Sequence, residues 1–101
     1  MEQIKLYRSR PFTIIDENFG EMMNLAVRYS LGRRSYAVHD TCSYVASVMP
    51  YLDYNTLCRM KHDIEVHDKY DRFGDECDKA EWLNLKEDIA KQIERMVEEA
   101  L

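Results

Sequence analysis

The clearest pattern in the chain lies near its end. Trp82, Leu85, Ile89, Ile93, Met96 and Ala100 recur at intervals of three and four, the period of one helix face. Asp78 followed by Glu81 reads as a D-x-x-E capping box, so the spacing predicts a helix from about 79 to 100. A second pattern places Phe19, Met22, Met23, Ala26, Val27 and Ser30 on one side of a helix over about 17–31. Asp16 stands at its N-cap and Gly32 at the left-handed position past its end. Between these, Val38, Cys42, Val45, Val48 and Met49 line a helix that Ser35 or Asp40 caps and that ends at Pro50, with Tyr36–Val38 read as extended. Leu57, Met60, Ile64 and His67 face inward on a helix over about 54–68, capped by Asp53. Residues 69–78 read as a polar loop turning at Gly74.

Residues 3–8, QIKLYR, alternate weakly, and Pro11 follows before FTII. The expected fold is therefore mainly α: one helical domain over 1–101, a compact bundle of about four helices with a short N-terminal extended arm that has room for a small β element. With 101 residues, 46% apolar and 33% charged, the chain can bury one core without disulfides or metals. Two prolines and three glycines fit few, short connections. The opening MEQIKLYRSR has no apolar export signal, and no long apolar run suggests a membrane span. Cys42, Cys58 and Cys77 then read as free thiols in a cytoplasmic protein.

Charge is unevenly spread. Residues 1–36 hold six basic and four acidic side chains, whereas 37–101 hold eight basic and fifteen acidic ones. An acidic lobe disfavours direct contact with nucleic acid, whose phosphates need Lys and Arg. It favours a basic partner, including a protein that itself binds nucleic acid. Asp71, Asp75, Glu76, Asp78 and Glu81 are the candidate partner-binding residues.

Chemistry is sparse. There is no nucleophile elbow and no phosphate-binding glycine loop, so no enzyme is expected and no cofactor is assigned. His39 with Cys42, and Cys58 with His62, have the spacing of helical ligand pairs. Brought together they would form a tetrahedral Cys₂His₂ zinc site, against the alternative that Cys42 is a core residue. The stretch RYSLGRRSY, Arg28–Tyr36, could clamp an anion. A helix C-terminus repels anions and attracts cations, however, so the arginines read better as ties to acids of later helices, with Asp63 and Asp75 as candidates. The long last helix leaves monomer and homodimer both open.

RYSLGRRSYAVHDTCSYV, then LDYNTLCRMKHDIE and FGDECDKAEWLNL, resemble a loose group of small proteins from phages and mobile elements of Gram-positive bacteria. The shared features are an R-Y-x-L-G-R-x-x-Y core, a later D-I-E and an acidic G-D-x-x-D stretch before Trp82, over about 25–85. The resemblance implies a genetic setting in which small acidic proteins act by binding, some as anti-CRISPR inhibitors of an effector nuclease. It carries no functional residues onto this chain. The alternative is a zinc-stabilised or regulatory module with no nuclease-inhibiting role.

Overall fold

The computed structural model describes residues 17–31 and 36–100. The expected extended arm, Asp16, Gly32, Arg33, Arg34 and Ser35 lie outside the described residues. Four α-helices follow in order: α1 Glu17–Ser30, α2 Tyr36–Val48, α3 Tyr54–Lys69 and α4 Glu76–Ala100. A 3₁₀ turn, Met49–Tyr51, joins α2 to the segment leading into α3. No strand occurs among the described residues.

The helices form a ring. α1 packs on α2 and α3, and α4 packs on α2 and α3, so α1 and α4 are diagonal, as are α2 and α3. The core inside the ring is built from Met23, Val27, Val38, Val45, Leu57, Met60, Ile64, Trp82, Leu85 and Ile89, all buried. Trp82 is the largest fully buried side chain, and its truncation to alanine would remove about 3–5 kcal/mol.

Three local readings change. α2 begins at Tyr36 rather than after an extended segment, and Asp40 lies inside it rather than capping it. Val38 is fully buried in register with Cys42, Val45 and Met49, and that burial overrides the β tendency of a Tyr-Ala-Val run. α4 begins at Glu76, three residues earlier than the spacing predicts. Asp75 is its cap: the Asp75 Oδ1 accepts from the Asp78 backbone N–H at 2.8 Å. Asp78 therefore sits in the first turn of α4, and the expected Asp78–Glu81 capping box is replaced by a single cap from Asp75. Asp53 does hold the N-cap place of α3, with extended backbone, but its side chain makes no capping hydrogen bond.

The third change is the rotation of α1. Its inner face is Gly20, Met23, Asn24, Val27 and Ser30; Ala26 is exposed, as is Met22 at 64%. α1 is apolar on more than one side, so periodicity alone does not fix which side goes in. Polar pairing and close approach do. The Asn24 amide, with its oxygen toward Arg59, accepts from Nε at 3.3 Å and Nη2 at 3.1 Å. Gly20 faces Thr56 so closely that an added Cβ would lie 2.5 Å from the Thr56 Oγ1.

The end of α1 is tied to both neighbours. Arg28 Nε donates to Asp63 Oδ2 of α3 at 3.2 Å, and the Ser30 and Thr41 hydroxyls meet at 2.6 Å across to α2. Of the RYSLGRRSY stretch, the described part thus joins helices, with Asp63 as the expected partner. Arg59 of α3 adds a tie to Glu21 at 3.0 Å.

Candidate interaction surface

The five acids singled out in the sequence have separate fates. Asp71 follows α3 and is 84% exposed, with Lys79 Nζ at 3.8 Å from its carboxylate. Asp75 is exposed but serves as the cap of α4. Glu76 is exposed in the first turn. Glu81 accepts from His39 Nδ1 at 2.8 Å, joining α4 to α2. Asp78 is only 6% exposed, so it is removed from the partner-facing set. Its position on α4, one turn before Trp82, points it at the core. Its Oδ2 finds no hydrogen-bond partner among the described residues, and neither does the Trp82 Nε1. The positive end of the α4 dipole offsets part of the cost of that buried carboxylate.

Asp71 has a special backbone. α3 ends in a Schellman motif: Arg72 N–H donates to His67 C=O at 2.9 Å and Asp71 N–H to Asp68 C=O at 3.1 Å. The residue at the turn of that motif is left-handed, and it is Asp71, with φ 51°. The expected turn at Gly74 is only a bend. An aspartate tolerates this conformation better than most residues but pays more than glycine. The motif aims the Asp71 carboxylate outward.

The sequence reading of the acidic loop missed a longer feature. Glu76, Glu87, Glu94 and Glu98 are spaced by eleven, seven and four, so they share one side of α4, and all four are exposed. Among the described residues none of them is in an ion pair, although the exposed Lys91, one turn after Glu87, lies on the same side of the helix and offsets part of their charge. The stripe runs about 33 Å along the helix. Only with α4 starting at Glu76 do all four acids fall on one helix.

The zinc arrangement does not form. His39 and Cys42 line a cleft of about 250 Å³ between α2 and α4, together with Glu81. Cys58 lines a different groove, between α3 and α4, of about 350 Å³. α2 and α3 are diagonal, so α4 separates the two pairs. No group of three or more His, Cys, Asp or Glu side chains among the described residues could hold a metal ion.

The Cys42–His39–Glu81 neighbourhood is also poorly suited to nucleophilic chemistry. Burial, with Glu81 and Asp78 adding negative potential, pushes the Cys42 thiol up to about 12, so it stays protonated. The His39 imidazole, hydrogen-bonded to Glu81, is raised above its ordinary 6.5. The His39 shift comes from the tie to Glu81, and the Cys42 shift mainly from burial beneath it.

No helix among the described residues is long and apolar enough to cross a membrane. No protein-family model, curated protein or solved structure matches the chain.

Proposed function

We propose that this chain is a non-enzymatic binding protein that inhibits a bacterial CRISPR effector nuclease through its acidic face. The observation that carries the reading is the stripe of acids in no ion pair among the described residues on α4, Glu76, Glu87, Glu94 and Glu98. Acids held in no ion pair, only partly offset by the neighbouring Lys91, leave a net negative field that steers a basic partner into contact. Effector nucleases present such a surface, because they hold their heteroduplex in a positive channel and read flanking DNA with arginines. The resemblance to small phage and mobile-element proteins supplies the setting. The protein would act in the cytoplasm of the bacterial host, touching no nucleic acid itself.

The test is capture of purified effector nucleases by the immobilised protein at micromolar concentration, followed by a DNA-cleavage assay. Cleavage should fall in proportion to the complex formed. The triple variant Glu76→Lys, Glu87→Lys, Glu98→Lys should weaken binding at least about tenfold at low salt, a change of about 1.4 kcal/mol. Absence of any complex at micromolar protein would sink the reading.

A further inference from the structure

The groove between α3 and α4 has an apolar floor and an acidic edge. Cys58 of α3 with Ala90 and Ile93 of α4 make the floor, and Tyr54 and Glu94 border it, in a volume of about 350 Å³. The groove exists because the core ends before α4 does. Ile89 is the last buried residue of α4; Ile93 and Met96 are only half-buried, and nothing from Ala90 to Ala100 is buried. Alanine at position 90 leaves space where a larger side chain would close the gap against α3. Val97 stands one turn past Ile93 and is 43% exposed, while Tyr54 opposite is 47% exposed. Two large apolar side chains thus flank an apolar floor that no further element among the described residues covers.

We infer that this groove docks a cationic amphipathic helix of the partner, with one apolar side chain seated over Cys58 and Ile93 and a neighbouring lysine or arginine on Glu94. The inference rests on the reading of the chain as a binder of basic proteins, and it says where and by what chemistry. Helix-in-groove recognition uses this combination of apolar anchor and charged edge. The volume holds one or two aliphatic or aromatic side chains. The charge decides the occupant. Lys61 at the groove is paired with Glu65 at 2.8 Å, whereas Glu94 is in no ion pair among the described residues, and Glu98 and Glu99 lie beyond it. A second copy docking through the same helix would set these acids against one another, which costs rather than gains.

Cys58 makes the groove testable. In the Cys77→Ser variant, Cys58 is the accessible thiol, because Cys42 is buried. The probe is a synthetic helix of about 15 residues with leucines on one face and lysines on the other. Saturating peptide should slow alkylation of Cys58 at least about fivefold. Val97→Glu and Glu94→Lys should each reduce peptide affinity at least about tenfold, the loss expected for a residue at the centre of a contact. Val97 is exposed, so Val97→Glu leaves the fold intact, and its circular dichroism spectrum checks that. An unchanged Cys58 rate with bound peptide would overturn the proposal. So would faster alkylation on removing residues 1–16, which carry Lys5, Arg8 and Arg10 and would then be the occupant. Nuclease capture that survives both groove variants would overturn the groove and leave the proposed function standing; loss of all basic binding in the unaltered chain would overturn both.

Discussion

Asp71 shows how a single residue can carry both a cost and a use. Its left-handed backbone closes α3, and glycine would hold the same conformation with less strain. Asp71→Gly should therefore raise stability by about 0.5–1 kcal/mol in urea unfolding. In the same variant, affinity for a basic partner should fall, because the exposed carboxylate is gone. A loss of stability would mean that the ion pair with Lys79 outweighs the backbone strain. At Cys42 the effect is one of pH. Its thiol pKa rises from 9.0 to about 12 on folding, so the neutral thiol's contribution is complete below about 9 and is lost as pH climbs toward 12. Alkaline unfolding followed by circular dichroism should show stability declining across that window, and Cys42→Val should flatten the decline. His39 works at lower pH: its raised pKa means that the tie to Glu81 is complete below 6.5 and fades as pH rises through the raised value.

Among the elements, the contact of α1 with α3 is the most exacting. Gly20→Ala would drive a methyl group into the Thr56 Oγ1, and should cost about 1–3 kcal/mol. Thr56→Ala removes that oxygen, so the double variant should recover much of the loss; a cycle with no coupling between the two would contradict the close approach. This element also marks the limit of what the sequence discloses. The existence and order of the four helices were legible, because α2, α3 and the first half of α4 each keep their apolar residues on one face. The rotation of α1 was not, because Met22 and Ala26 are as apolar as Met23 and Val27, and the inward choice depends on Arg59 and Thr56 of α3, far along the chain. The same holds for the site. The acidic character of the last helix could be read from composition, and Arg28 with Asp63 from charge and position. The fate of Asp78 could not: only the shift of the α4 start to Glu76 turns that aspartate from a surface cap into a buried neighbour of the core.

At the scale of the molecule, the ring of helices separates roles. The first 36 residues carry a basic excess and the rest an acidic one, and Arg28 of α1 and Arg59 of α3 are spent on acids within the bundle, on Asp63 and Glu21. α4 lies diagonal to α1 and outlasts the core, so its solvent side keeps four acids in no ion pair among the described residues, with the basic Lys91 between them. One face is thereby left net negative. Its field should be felt over about a Debye length, roughly 8 Å at physiological ionic strength. The measurement that tests this most directly is the affinity of the protein for an effector nuclease as a function of salt. Affinity should fall steeply between about 50 and 500 mM salt, and the Glu76→Lys, Glu87→Lys, Glu98→Lys variant should bind weakly with a much flatter dependence. Equal affinity for the variant, or binding of the unaltered protein that does not respond to salt, would contradict the acidic face as the means of recognition.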